Sequence, residues 1–345
     1  MDALMPPCAH GGPAGRAQVR AVPEDFLVRE LLGFDADGDG DHVLLRVRKR
    51  SANTMWIAKR LAQIGKLHPR DIGFAGLKDR HAVAEQWFSA PLRSAMGERW
   101  VEAAEPDFEV LACERHRRKL KRGALRGNEF EILLREFEGD RAVLEQRLAD
   151  LASAGAPNYF GPQRFGRSGA NLEAALAWFS GGSAPGERAQ RSFALSAARS
   201  ALFNCVLARR VRAGAWNVLL EGDIANLDGG GSIFAVDLVD EALRRRCETM
   251  DLHPTGPMWG RGGERLGPFE QEVLDAHPLL RDGLVSAGVE AERRALRMVV
   301  RDLQWSFAGA DLRLRFRLSR GSFATAVLHE LIENAFAGEA PESDA

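Results

Sequence analysis

Four ionisable residues, Lys78, Asp79, Arg80 and His81, follow one another inside Gly73–Ser89, GFAGLKDRHAVAEQWFS. Two short apolar runs, 72–75 and 86–90, flank them, so they read as a polar, glycine-bounded turn. A carboxylate set among cations stays ionised, as a nucleophile or a base beside a charged intermediate must. A solvated turn without a task would look the same, and chemistry alone does not separate the two readings. Lys78 adjoins Asp79, but neighbours in extended chain face opposite ways, so Lys78 is not expected to pair with it.

A second cluster is electrostatic. Arg115–Arg126 reads RHRRKLKRGALR, with seven Lys/Arg and no acid in 12 residues, and it runs directly into Asn128 and Phe130. A basic run is usually a solvated face. Beside an Asn-x-Phe segment it becomes a candidate phosphate surface made of Arg115, Arg117, Arg118, Lys119, Lys121 and Arg122, with Arg48, Lys49 and Arg50 as an extension. Such contacts position RNA without reading its sequence and make binding fall steeply with salt. Arginine usage tempers this: the chain has 41 Arg and 6 Lys, so a single arginine says little and only clusters count. The formal net charge of -1 excludes a globally basic nucleic-acid binder and leaves a local patch open.

These residues need elements to hold them. Residues 16–30 read as strand pieces around a turn at Pro23, after a flexible Gly/Pro-rich leader, and 42–48 as another strand. Asn53 can cap a helix whose apolar positions Ile57, Leu61 and Ile64 keep helical spacing until Gly65. Residues 108–113 and 128–135 are further strands, the second alternating Phe130, Ile132 and Leu134 on one face. From about residue 140 the periodicity is helical, over 139–153, 171–179, 189–213 and 238–249, joined by glycine-rich loops. Strand texture returns at 297–304 and 311–318, and a last helix follows Ser322. Strands, a helical middle, then strands again give an α+β core interrupted by an insertion.

Other chemistries find little support. The four cysteines form no CxxC pair, which argues against a zinc ribbon or disulfide scaffold and for a reducing cytoplasm. No apolar run reaches 18 residues, and the first residues lack the basic start and apolar stretch of a secretory signal, so a soluble protein without a membrane partner is expected. The eight histidines show no HxH or HExxH spacing, so no metal is expected; His329, on the last helix, reads as surface. The acidic, glycine-rich residues 38–42 lack a calcium-loop pattern, and the DGGGS loop at 228–232 lacks the GKS/T of a phosphate cradle. Nothing resembles a coiled coil or a long apolar dimer stripe, which favours a monomer.

The stretch GFAGLKDRHAVAEQWFS resembles the hallmark segment of the TruD family of tRNA pseudouridine synthases. The resemblance continues through PEDFLVRE (23–30), RGNEFEILLR (126–135), NYFGPQRFG (158–166) and GSFATAVLHELI (321–332), five blocks in order along nearly the whole chain. It implies a pseudouridine-synthase-like α+β catalytic core with a mixed or antiparallel sheet at 1–153 and 298–345. A mainly helical family-specific domain would be inserted at 154–297. It also implies cofactor-free isomerisation of a tRNA uridine, at position 13 of the D-arm, with Asp79 as the catalytic carboxylate. By the same resemblance Phe130 packs on the target base and Phe26 and Phe323 surround the substrate; Asn128, two residues earlier on the face of Phe130, is the candidate to hydrogen-bond the uracil edge or backbone. Arg20, just before the PEDF block, is the candidate charge partner of Asp79; a plain surface arginine is the competing reading. Two rivals remain: a non-catalytic RNA-binding or RNA-folding protein on the same fold, and a phosphatase using Asp79. The absence of a metal-binding carboxylate near the turn makes the second remote.

Overall fold

The structure, a computed structural model, describes residues 3–92, 100, 104–263, 265–333 and 335. Strands β1 (Gly15–Val19), β2 (Phe26–Leu31) and β3 (His42–Arg50) precede helix α1 (Thr54–Ile64). Strands β4 (Gly73–Phe74), β5 (Val83–Pro91), β6 (Ala104–Glu105), β7 (Phe108–His116) and β8 (Gly127–Gly139) follow. Then come α2 (Arg141–Ala154), β9 (Ala156–Pro157), α3 (Ala170–Phe179) and α4 (Arg188–Arg212). Next are β10 (Ile224–Leu227), β11 (Ile233–Ala235), α5 (Glu241–Glu248), β12 (Leu252–Met258), α6 (Glu270–Ala276) and α7 (Pro278–Ser286). The chain ends through β13 (Glu292–Ala295), β14 (Arg297–Met298), the hairpin strands β15 (Arg301–Ala308) and β16 (Asp311–Ser319), and α8 (Ala324–His329).

Two compact units result. Residues Ala17–Phe137 and Arg301–Gly321 form the sheet unit; the described residues of Met1–Arg16, Glu138–Val300 and Ser322–Ser343 form the other. The sequence reading sets its domain limits at 153/154 and 297/298, whereas the units divide at 137/138 and 300/301, and 322–343 goes with the second.

Among the described residues the sheet has ten strands, in the order β15-β16-β8-β2-β5-β3-β7-β6, with β1 on β8 and β4 on β5. It is mixed, as anticipated: β2 and β5 run parallel, while β16–β8, β8–β2, β5–β3 and β3–β7 are antiparallel. Two-residue alternation explains its buried face. Leu312, Leu314, Phe316 and Leu318 of β16 are buried, whereas Arg313, Arg315 and Arg317 face outward. The register sets Phe316 beside Phe130 and Leu314 beside Ile132. Helix α1 packs Ile57 and Leu61 against Val43, Leu45 and Val47 of β3 and Phe88 of β5. Its start is fixed by Asn53, whose side-chain oxygen accepts the Met55 N–H at 2.7 Å. Asn53→Ala should cost about 1 kcal/mol, read as a lower denaturant midpoint at constant slope.

The second unit is built around the 25-residue helix α4. Its alanines 194, 197, 198 and 201 let Tyr159, Phe160, Phe165, Leu280 and Leu284 approach closely. It is less purely helical than its periodicity suggests, because β11-β10-β12-β13 form a four-stranded sheet. The strands escape a pattern search: β12 reads LHPTGPM, with two prolines and a glycine and no alternation. The amino-terminal leader, expected to be flexible, is anchored instead. Ala3 is buried in the unit's core, Asn204 donates to its carbonyl at 2.9 Å, and Glu330 accepts the Ala9 and His10 N–H groups. His329 is likewise no surface residue, its Nε2 lying 2.9 Å from the Pro6 carbonyl. No helix among the described residues is long and apolar enough to cross a membrane.

Candidate active site

The KDRH residues lie in the loop between β4 and β5, and a buried polar scaffold determines its path. Thr54, the first residue of α1, accepts the Lys78 N–H at 3.0 Å and donates to Gln86 Oε1 at 3.0 Å. Gln86 in turn donates to the Gly76 carbonyl at 2.6 Å. From the other side Lys49, 1% exposed, donates to the carbonyls of Ala52 at 2.6 Å and Asp79 at 2.8 Å. Three side chains, Lys49, Thr54 and Gln86, thus hold the backbone at residues 76–79, the kind of rigid support a reacting group needs.

Lys78 and Asp79 leave this backbone in different directions. The Lys78 ammonium is buried against Glu30, 2.7 Å away, and donates to Asn128 Oδ1 at 2.8 Å. Asp79 reaches Arg20: its Oδ2 lies 2.7 Å from Arg20 Nη2, and its Oδ1 accepts the His81 N–H at 2.9 Å. Arg20 follows β1 with a left-handed backbone (φ 58°), a conformation that costs energy in a non-glycine residue and recurs at functional sites. Its guanidinium carbon stands 4.2 Å over the Phe26 ring, which limits the directions the side chain can take.

The aromatic residues form a row beneath this pair. Phe26 meets Phe130 edge to face at a centroid distance of 6.0 Å, and Phe130 stacks on Phe316 at 5.4 Å. Phe26 and Phe130 are both buried, at 3% and 6% exposure. Strand register explains the grouping, because β2 pairs Phe26 with Ile132, Val28 with Phe130 and Glu30 with Asn128. The alternation that places Phe26 and Phe130 on one face therefore places Glu30 and Asn128 there too. Burial raises the Glu30 carboxyl above its ordinary range, and the Lys78 ammonium opposes the rise. The sequence reading missed Glu30, although its inward position could be counted off FLVREL from Phe26. Phe323 belongs to the other unit, just before α8, where its ring lies 6.0 Å from Phe160.

The basic run is less free than its sequence suggests. The acidic residues just before β3 lie against it: Arg117 is paired with Asp39 at 2.7 Å, and His116 with Asp37 at 2.8 Å. Arg115 donates to the Gly40 carbonyl, Lys119 to the Arg70 carbonyl, and Arg122 stacks over Phe74 at 4.1 Å. Arg118 and Lys121 are exposed and make no ion pair among the described residues. The expected extension of the patch is corrected by burial and pairing. Lys49 is sequestered under the loop, Arg48 is paired with Glu85 and Glu109, and Arg50 with Glu24.

An ionisable carboxylate held by a guanidinium and a backbone amide, next to an aromatic row and a buried Lys–Glu–Asn cluster, can attack or deprotonate a ring-bearing substrate. Comparison with known proteins gives this geometry a context. The family profile for tRNA pseudouridine synthase D (TruD) matches residues 9–174 and 187–331. A tRNA pseudouridine synthase D of Nitrosococcus oceani is 48% identical over 333 residues, covering 94% of this chain and 93% of the relative. One from Methylococcus capsulatus is 46% identical over 334 residues, covering 95% and 94%. A crystal structure assigned to TruD of Methanosarcina mazei superposes with a TM-score of 0.71 at 21% identity, covering 94% and 95% of the two chains, and so shares the fold.

Proposed function

Since the chain belongs to the TruD family of tRNA pseudouridine synthases, we propose that it isomerises uridine 13 in the tRNA D-arm, with Asp79 as the catalytic carboxylate. The observation that carries this reading is the Arg20–Asp79 ion pair, set on a braced loop beside the Phe26–Phe130 pair. The reaction breaks the uridine N1–C1′ bond, turns the base and rejoins it through C5. Asp79 serves either by attacking C1′ or by removing a sugar proton to leave a glycal-like intermediate; both routes start from the carboxylate. Arg20 fixes its direction and balances its charge. A stacked uridine must leave the helix to reach it, and Phe130 supplies an apolar face for the extruded ring, with Asn128 at the polar edge. Asn128 is itself oriented by the Lys78 ammonium, so the buried Glu30–Lys78 pair positions the residue assigned to the uracil edge. The chemistry requires no added cofactor. We assign the catalytic core to 1–153 and 298–345 and the inserted domain to 154–297, and we take the enzyme to act as a cytoplasmic monomer.

The test is pseudouridine mapping on unmodified tRNA incubated with the purified protein. Conversion of one D-arm uridine is expected. Tight tRNA binding without conversion would favour the non-catalytic RNA-binding reading. The basic run adds a graded prediction. Because Arg117 already has Asp39, replacing Arg118 and Lys121 together by Gln should flatten the slope of log Kd against log salt by about 2, whereas Arg117→Gln should change it by about half a unit or less. Equal effects from both variants would place the phosphate contacts elsewhere.

A further inference from the structure

In the second unit two arginines approach one aromatic ring, and among the described residues neither has an acid to balance it. Arg294, on β13, holds its guanidinium carbon 4.1 Å from the Phe160 centroid; Arg164, in the turn before α3, holds its own 5.0 Å from the same ring. Phe323 lies 5.9 Å from the first and 6.0 Å from the second. Arginines elsewhere in this unit have their donors taken up: Arg210 is paired with Asp223 at 2.6 Å and Arg293 with Glu270 at 2.6 Å, while the buried Arg297 donates to the carbonyls of Asn217, Cys247 and Leu252. Among the described residues Arg164 and Arg294 have neutral partners. Arg164 Nη1 donates to Ser196 Oγ at 3.0 Å, and Arg294 Nη2 donates to Asn158 Oδ1 at 2.6 Å and to its carbonyl at 3.1 Å.

Stacking on Phe160 explains the presence of one arginine, not of two. Burial lowers Arg294 to about 9, the nearby Arg164 charge acts in the same direction, and burial also lowers Arg164. Both side chains are half-buried, and two like charges held against one ring are a cost that an arriving anion removes. The pair also keeps free donors for one. Arg164 Nε and Nη2 and Arg294 Nη1 make no hydrogen bond to described residues, and none of them is among the sealed, unpartnered atoms. Two planar guanidinium groups with unused N–H groups match the geometry of a phosphate.

We propose that Arg164 and Arg294 form an anion site that takes one phosphodiester group of the substrate RNA, with Phe160 and Phe323 as its apolar wall. The proposal rests on the reading of the chain as a tRNA-modifying enzyme. It assigns to the NYFGPQRFG and GSFATAV blocks a backbone-positioning task separate from the Asp79 chemistry.

The experiment compares full-length wild type, Arg164→Gln and Arg164→Lys. Arg164 is chosen because Arg294 also ties down Asn158, so its loss could disturb the fold. Kd for unmodified tRNA is measured across a salt series, with pseudouridine formation by wild type followed in parallel. Arg164→Gln should weaken binding about tenfold and flatten the log–log salt slope by about 1, while Arg164→Lys, which keeps the charge, should restore the slope. A wild-type Kd and slope in Arg164→Gln would overturn the proposal. So would a slope that Arg164→Lys fails to restore, since a packing role would behave that way. Thermal stabilisation by inorganic phosphate that disappears in Arg164→Gln while tRNA binding is untouched would identify free phosphate as the occupant and reject RNA. If wild type makes no pseudouridine but the slope change is present, the activity reading fails and the phosphodiester site stands.

Discussion

Asp79→Asn should lower the single-turnover rate of pseudouridine formation on the order of 10⁴-fold while changing tRNA affinity by no more than about threefold. The substitution keeps the shape of the side chain and its acceptor for the His81 N–H, so the turn retains its local bond. What it removes is the negative charge that faces Arg20 and, on the proposed mechanism, the electron pair offered to the sugar. Arg20 would then be a cation at 10% side-chain exposure facing a neutral amide, so a modest stability loss should accompany the kinetic one. Binding should survive because the phosphate contacts assigned to Arg118, Lys121, Arg164 and Arg294 do not involve Asp79. A variant that still forms pseudouridine at the wild-type rate would remove Asp79 from the mechanism. One that loses binding and rate together would make it a structural residue.

How much of this could be read from the chain depends on what kind of signal each part leaves. The sheet unit was legible because its strands alternate: Phe130, Ile132 and Leu134 in β8, and Leu312, Leu314, Phe316 and Leu318 in β16, announce a single buried face. Helix α1 was legible because a capping Asn and a terminating Gly bracket helical spacing. The four-stranded sheet of the second unit left no such mark, because β12 is rich in Gly and Pro and buried nearly throughout, which erases the alternation. At the site, family resemblance marked Asp79, Asn128 and Phe130, and alternation spoke against the adjacent Lys78 as the partner of Asp79 and left Arg20 as the candidate. The fold sets Arg20 2.7 Å from Asp79 and turns Lys78 toward Glu30. Lys49 was misread instead. It sits in the run RKR and looks like surface charge, yet its position on β3 turns it inward under the loop that carries Asp79.

Lys78→Met should destabilise the protein by about 4 kcal/mol at neutral pH, because it leaves Glu30 buried without its partner. The side chains of Lys78 and Glu30 are 6% and 0% exposed, so little solvent screening softens the loss. The penalty carries a pH signature. Burial holds the folded Glu30 carboxyl above its unfolded value, so its contribution to stability is fully present below about pH 4.3 and declines as pH rises through the folded value. Without the ammonium the folded value climbs further, and the cost of Lys78→Met should be smaller at about pH 5 than at about pH 8. Glu30→Gln combined with Lys78→Met should be less destabilised than Lys78→Met alone at neutral pH, since no buried charge then remains; a coupling of about 2 kcal/mol in the double-mutant cycle is expected. Additive effects, independent of pH, would show that packing volume matters here rather than charge. The double variant also separates stability from chemistry. Its fold is largely restored, yet Asn128 still lacks the donor that orients it, so its rate with tRNA should stay well below wild type if the buried pair serves to position the residue assigned to the uracil edge.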